Sequence, residues 1–206
     1  CDNFAGVTNL SATLEDNTAF ITWTLPIYEG QDEGPTDEFS YNFDNGSLYG
    51  WETIDADGDN RNWGTTLDHG IDQTGCASSE SYSNGALTPD NYMVRGNKCI
   101  ITEGSTLTYA ICSQSSNGTY SSEHYGIAIS TTSNTDATSF TTIFEETIDH
   151  GNVEYGSFQG EWFEKSLDLS EYAGQEIYIA FRHFDVTDMS GVYLDNVELS
   201  IVTRDE

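Results

Sequence analysis

The chain has 206 residues, which suits one domain of ordinary size with a buried core and a short additional segment. Its 35 acidic residues outnumber 6 basic ones and give a formal net charge of −29, which argues strongly against nucleic acid or an anionic membrane as a partner. No apolar run approaches the roughly 20 residues of a membrane-spanning helix, so direct membrane insertion is not expected.

Residues 1–28 carry the pattern of two short strands, at 7–14 and 19–25, joined by a polar turn. This pattern resembles the first two strands of a fibronectin type III module, whose second strand carries an inward Trp like Trp23. A lone hairpin is only marginally stable in water, so we expect this segment to pack on the main body or to be the remnant of a module. Residues 29–38, rich in acids with Gly and Pro, are predicted to be a linker.

From residue 39 onward, apolar residues alternate with polar ones, as in half-buried strands of an antiparallel sheet. The clearest examples are residues 107–111, 125–129, 177–181 and 197–201. No segment shows a helical stripe over three turns, and a composition with 19 Gly and 3 Pro is typical of a β-rich extracellular protein. Strands separated by turn signals predict an all-β sandwich.

The acidic loop (residues 55–63, DADGDNRNW) is the strongest candidate for a metal site. Its oxygen-bearing side chains include Asp55, Asp57, Asp59 and Asn62. Ca²⁺ prefers six to eight oxygen ligands at roughly 2.3–2.6 Å, and closely spaced acids in a Gly-containing turn can supply them. An EF-hand needs Glu at the twelfth position, which here is Thr66, so a calcium loop of another kind is predicted. The alternative is a solvated acidic turn.

Four cysteines allow three full disulfide pairings. Cys99 and Cys112 flank an apparent hairpin and could face each other, while a bond between Cys76 and Cys112 is equally open. Cys1 fits three roles: the lipidated first residue of a surface lipoprotein, a disulfide partner, or the boundary of an excised or mature fragment. The sequence leaves these alternatives open.

Catalytic chemistry is not expected. Arg182, His183 and Asp185 lie close together in sequence, but neighbouring residues of a strand face opposite sides and cannot address one substrate. The same holds for Glu145 and Glu146 as a pair of glycosidase carboxylates. The chain has no nucleophile elbow of the G-x-S-x-G type and no cysteine in a nucleophile context, so we predict that it is not an enzyme.

Exposed aromatic side chains are the candidates for ligand binding. Trp63 follows the acidic loop, and Tyr120 and Tyr155 lie in stretches rich in Gly, Ser and Asn. Aromatic faces stack on sugar rings or anchor protein partners, although packing in the core is the alternative for each residue. Residues 149–160 form the preferred recognition loop, because variable surface loops commonly carry binding.

Several short motifs follow one another in a recognisable order between residues 39 and 202. They include FDNG at 43–46, GW at 50–51, the acidic loop, LTPDNY at 87–92, IAFRHF at 179–184 and LDNV at 194–197. This order resembles the cleaved-adhesin domain of gingipain-type surface proteases and haemagglutinins. The resemblance assigns residues 39–206 to a jelly-roll-like antiparallel β-sandwich, preceded by the hairpin segment.

The resemblance implies one or two structural Ca²⁺ ions. One site would use Asp44 and Asp195, and would join the first and last strands of the sandwich. The family usually has Glu at the position of Asp44, and often a second acid where this chain has Asn196. The other site would use Asp55, Asp57 and Asp59, completed by Asn62 or backbone carbonyls.

The resemblance also implies a function. The chain is expected to be a calcium-stabilised adhesin module of a bacterial secreted or cell-surface protein, with other domains in a larger parent. Its implied partners are a host extracellular protein, such as a matrix or haem protein, or a cell-surface glycan. The alternatives are a carbohydrate-binding module and a non-catalytic accessory domain of a secreted protease or glycosidase.

Overall fold

The computed structural model describes residues 8–15, 18–24 and 35–201, with side chains for 35–201. The chain divides into two compact units, residues 1–33 and residues 34–206. The first unit is an antiparallel hairpin of β1 (Thr8–Glu15) and β2 (Thr18–Thr24), which confirms the predicted hairpin. The side chain of Trp23, most of the predicted linker and Cys1 lie outside the described residues.

The second unit is a sandwich of two sheets whose named strands all pair antiparallel, which confirms the predicted all-β, jelly-roll-like fold. Its strands are β3 (Phe39–Tyr41), β4 (Trp51–Asp55), β5 (Gly64–Thr66), β6 (Cys76–Glu80), β7 (Asn91–Arg95), β8 (Cys99–Ile100), β9 (Ser105–Ser113), β10 (Glu123–Ser130), β11 (Thr141–Ile148), β12 (Phe163–Asp168), β13 (Glu176–His183) and β14 (Gly191–Ile201). The first sheet has the order β11-β10-β13-β7-β4, with β8 pairing to β13, and the second has the order β12-β9-β14-β6-β5, with β3 pairing to β14. Short 3-10 turns occur at Ile71–Gln73, Ala137–Ser139 and Ser170–Tyr172.

The core lies between the two sheets and is built from the alternating residues that the sequence pattern predicts. Tyr109 of the second sheet meets Phe181 of the first edge to face, with ring centroids 5.1 Å apart. Tyr109 is also hydrogen-bonded to the hydroxyl of Tyr125 at 3.0 Å, so its buried polar atom has a partner. The four predicted alternating stretches fall within β9, β10, β13 and β14.

The first and last strands of the sandwich are neighbours. Strand β3 pairs with β14 through Phe39 opposite Leu199 and Tyr41 opposite Val197. The pairing of β14 with β9 is interrupted between Asp195 and Glu198, where Asn196 has a positive φ of 48°. Such a bulge re-aims the neighbouring side chains, and Asp195 lies at this point.

A buried polar network links the two sheets. His183 of β13 lies 2.8 Å from the hydroxyl of Ser79 in β6 and 3.0 Å from a carboxylate oxygen of Glu123 in β10. Glu123 accepts two further hydrogen bonds, from the Ser81 hydroxyl at 2.9 Å and the Ser190 amide at 2.6 Å. The His183 ring, the Ser81 hydroxyl and the Ser190 amide therefore each have the Glu123 carboxylate as a hydrogen-bond partner inside the protein.

Arg182 points to the opposite side of β13 from His183, as the strand alternation predicts. It binds both oxygens of Asp90, at 2.7 and 3.0 Å, and its guanidinium lies 4.0 Å from the ring centroid of Phe184. This bidentate pair with an aromatic contact is a structural arrangement that Arg commonly makes.

The cysteines do not form the pairs that the sequence suggested. Cys99 lies in β8 of the first sheet within the main core, whereas Cys112 lies in β9 of the second sheet beside Tyr193 and Trp162. The expectation that Cys99 and Cys112 face each other across a hairpin is therefore wrong, because their strands belong to different sheets. Cys76 and Cys112 share one face, but β14 separates their strands. All three are free, buried thiols.

Within the described residues, no helix has the length and apolarity that crossing a bilayer requires.

Candidate functional site

The acidic loop folds around Asp55, the last residue of β4. Its carboxylate accepts hydrogen bonds from the amides of Gly58 at 2.7 Å and Asn60 at 2.9 Å. Gly58 and Asn60 both have positive φ, at 77° and 64°. Gly and Asn adopt this conformation more readily than other residues, so the loop's sequence suits its tight turn.

This turn brings three carboxylates together. Oxygens from Asp55, Asp57 and Asp59 all lie within 4.8 Å of one another. Partial burial, the hydrogen bond to Asp55 and the charge of Asp59 raise the pKa of Asp57 to about 6, while the hydrogen bond from Asp57 lowers the pKa of Asp55. Two like charges at ~4 Å repel by about 1 kcal/mol even in bulk water, and a divalent cation would remove that repulsion. The donor set fits Ca²⁺, which prefers oxygen ligands.

Asn62 and Trp63 close the acidic loop. The side-chain oxygen of Asn62 accepts a hydrogen bond from the Trp63 amide at 2.8 Å and keeps a second lone pair that could serve a cation. The indole of Trp63 is buried and donates to the backbone oxygen of Asn91 in β7 at 3.1 Å. The expectation that Trp63 is an exposed aromatic residue available to a ligand is wrong, because this side chain is buried and joins the loop to the core.

Asp195 forms the second candidate site. It is 1% exposed and accepts hydrogen bonds from the amides of Ile71 at 2.9 Å and Asn196 at 2.7 Å. Burial, with a smaller contribution from the charge of Asp44, raises the pKa of Asp195 to about 6 against the lowering effect of those two hydrogen bonds. Within residues 35–201, no ion pair joins Asp195 to a Lys, Arg or His side chain.

Asp44 lies close enough to Asp195 to interact with it electrostatically, as the resemblance implied. Asp44 is exposed, and one of its oxygens accepts a hydrogen bond from the Asn42 side-chain amide at 2.6 Å. A Cβ atom on Gly75 would lie 2.4 Å from the backbone oxygen of Phe43 and 3.0 Å from that of Asp44. Only glycine therefore lets this position pack so closely against the backbone of Phe43 and Asp44. A buried carboxylate without a cation is costly, so the donor set at this point also fits a bound metal ion.

The remaining aromatic candidates are accessible. Tyr155 is 80% exposed and Tyr120 is 49% exposed. Within the predicted recognition loop, Phe158 is 67% exposed and stacks on His69, with ring centroids 4.3 Å apart. Sequence reasoning missed Phe158 and Tyr82, although both carry the signal used for Tyr120, an aromatic residue in a polar stretch.

Comparison with known proteins finds a matching family model and several similar proteins. The model of the Cleaved Adhesin Domain family matches residues 37–199. Lys-gingipain of Porphyromonas gingivalis is 38% identical over 214 residues, which cover 96% of this chain and 12% of that protein. Hemagglutinin A of the same organism is 35% identical over 217 residues, covering 97% of this chain and 10% of that protein. The chain thus spans only a small part of the length of these relatives.

A solved structure resembles the sandwich closely. The crystal structure of the K1 cleaved adhesin domain of Lys-gingipain from P. gingivalis W83 has 40% sequence identity and a TM-score of 0.69. The match covers 81% of this chain and 99% of that structure.

Proposed function

Because the chain belongs to the cleaved adhesin domain family, we propose that it is a non-catalytic, calcium-stabilised adhesin module of a larger bacterial protein that is secreted or held at the cell surface. Its partners in this proposal are host extracellular proteins or cell-surface ligands. The observation that carries the calcium part is Asp195, a carboxylate that is 1% exposed and interacts electrostatically with Asp44. The family membership, together with a relative named Hemagglutinin A, supports adhesion.

In this proposal each site holds one Ca²⁺ ion. Asp44 and Asp195 bind the first ion, and Asp55, Asp57 and Asp59, with Asn62, bind the second. The ions supply positive charge and organise loops, and no chemical step is assigned to them. Because β3 pairs with β14, the first ion would also hold the two ends of the sandwich together.

The absence of catalysis is part of the proposal. Ser79, His183 and Glu123 are hydrogen-bonded in the order of a Ser-His-Glu triad, at 2.8 and 3.0 Å. Their exposed fractions, however, are only 1%, 0% and 0%. A nucleophile must reach its substrate, so this arrangement is better explained as a buried structural network.

The calcium sites can be tested by equilibrium dialysis of the chelator-treated protein against labelled Ca²⁺. We expect the unmodified protein to bind one or two Ca²⁺ ions per chain. Asp195→Asn and Asp57→Asn should each bind one ion fewer than the unmodified protein. Asp37→Asn, which removes an exposed charge elsewhere, is the matched control and should bind as many ions as the unmodified protein. No bound Ca²⁺ at millimolar concentration would overturn the calcium proposal.

Adhesion can be tested with immobilised matrix proteins and with erythrocytes. We expect saturable binding of the calcium-loaded protein and weaker binding after chelation, because unsupported loops lose their conformation. Failure to bind any of these surfaces in the calcium-loaded state would overturn the adhesive role.

A carbohydrate-binding module is the second candidate, and the observation that favours it is Tyr155, whose ring is 80% exposed. Such a ring can stack on a sugar. A glycan array separates the candidates: selective, saturable binding that is lost in Tyr155→Ala supports the carbohydrate module, and an array without signal supports a protein partner.

A further inference from the structure

A cleft of about 400 Å³ lies between three loops at one end of the sandwich. We call it the tyrosine cleft, and its lining residues are Tyr82, Ser115, Tyr120, Asp188, Met189 and Ser190. It involves none of the candidate calcium ligands. The two tyrosines are 48% and 49% exposed, so each presents about half of its side chain to a ligand.

The walls of the tyrosine cleft are held by the buried network beneath them. The carboxylate of Glu123 accepts hydrogen bonds from the Ser190 amide at 2.6 Å and the Ser81 hydroxyl at 2.9 Å. The backbone oxygen of Ser190 in turn accepts from the amides of Ser81 at 3.1 Å and Tyr82 at 3.3 Å. A site whose backbone is supported in this way is preorganised, so little ordering cost remains when a ligand binds.

Asp188 is the charged residue of the lining. It is exposed, and within residues 35–201 no ion pair includes its carboxylate. Its amide donates to the Ser81 backbone oxygen at 3.2 Å, and its φ is 55°, in the left-handed region. Such strained positions persist where the surrounding structure holds them and are common at binding sites.

This combination of groups selects a cation. A carboxylate attracts a positive charge, and a tyrosine ring can add cation–π attraction when the charge lies over its face. The whole chain carries a formal net charge of −29, which raises the local concentration of positively charged ligands. A neutral sugar could stack on the same rings but would gain nothing from this field.

We propose that the tyrosine cleft binds the side chain of an arginine or lysine from a basic segment of a protein partner. The proposal deepens the adhesive role and rests on it: it names the part of a partner protein that the module recognises.

The test uses the isotope-labelled, calcium-saturated chain and two short peptides, acetyl-Gly-Arg-Gly-amide and its neutral citrulline counterpart. Amide chemical shifts are followed during titration. We expect the arginine peptide to shift the amides of Tyr82, Met189 and Ser190. The citrulline peptide should bind at least about tenfold more weakly, because it lacks the charge.

Variants localise the effect. Asp188→Asn keeps a residue that tolerates positive φ and should weaken arginine binding about fivefold. Tyr120→Ala should weaken it about threefold through the lost cation–π contact. Asp37→Asn removes the same charge from an exposed position outside the cleft and should leave the affinity unchanged. An unchanged pattern of shifts elsewhere in the spectrum shows that each variant is folded.

Four outcomes would overturn the proposal: equal affinity for both peptides, shifts outside the cleft, no shifts at all, or shifts at these amides caused by a neutral saccharide. If the chain adheres to matrix proteins and yet gives one of these outcomes, this inference alone fails. If adhesion is also absent, the proposed function fails with it.

Discussion

At the scale of single residues, Asp195 shows how much its surroundings change a common side chain. It lies at a bulge in β14, is 1% exposed and has two backbone donors but no cationic partner in the described part of the chain. Trp63 shows the same influence of the surroundings. It follows a charged surface loop and was expected to be exposed, but its side chain is buried and donates a hydrogen bond to the backbone oxygen of Asn91. In both cases the neighbours that decide the outcome are distant in sequence.

For Asp195→Asn we expect a smaller response to calcium. In chelator the variant loses a buried, unpaired charge, but its single amide oxygen can replace only one of the two carboxylate oxygens that accept from Ile71 and Asn196. In Ca²⁺ it should gain less stability than the unmodified protein, because one ligand is weakened. Differential scanning calorimetry in both buffers measures this, and an unaltered calcium increment would contradict it. Asp37→Asn serves as the control.

At the scale of elements, the buried network of Glu123 joins strands that the sequence pattern treats as independent. It connects β10, which carries Glu123, with His183 at the end of β13 and Ser81, the residue after β6. The alternation of apolar residues correctly predicts that His183 and Arg182 face opposite sides. It does not reveal that the inward histidine meets a carboxylate from another strand.

Replacing Glu123 by Ala should lower the free energy of unfolding by about 3–5 kcal/mol, because His183, Ser81 and the Ser190 amide lose a buried partner together. Urea unfolding followed by tryptophan fluorescence measures the loss. Glu164→Ala on the exposed side of β12 should leave the transition unchanged. A loss below about 1 kcal/mol for Glu123→Ala would show that the network adds little stability.

Cys76, Cys99 and Cys112 are free thiols buried in the sandwich, and Cys76 and Cys112 lie in one cluster beside Tyr193. Burial raises the pKa of Cys76 and of Cys99 to about 12, so thiolate, the reactive form, is scarce at neutral pH. We expect alkylation of all three only after unfolding, with peptide mapping by mass spectrometry as the measurement. We also expect the same melting temperature with and without reductant. A disulfide-linked peptide joining two of these residues would contradict the structure.

At the scale of the whole molecule, the net charge of −29 makes self-repulsion a general cost of the folded state. Two bound divalent ions would relieve part of it where the carboxylates are most crowded. In the proposed adhesive role, the same charge would draw basic partners toward the tyrosine cleft.

The melting temperature should therefore be higher in Ca²⁺ than in chelator at matched ionic strength. An ion present at 100 times its dissociation constant stabilises the native state by about 2.7 kcal/mol. For a chain of this size the shift should be roughly 5–10 °C. Circular dichroism during heating measures it, and Asp57→Asn should reduce it. Equal midpoints in the two buffers would contradict calcium binding to the native state.

The alternating strands and the acidic loop can be predicted from the sequence, because each depends on residues close together in the chain, and the turn signals between strands indicate the sandwich class. Asp55, for example, accepts its hydrogen bonds from amides three and five positions away. Only the packing of the two sheets shows that Trp63 is buried, that Tyr82 joins Tyr120 in one cleft and that Cys99 and Cys112 lie in different sheets. These outcomes depend on the order of the strands in the two sheets and on which sheet faces meet. Many strand orders share the same local alternation of apolar residues, so the alternation alone does not distinguish them.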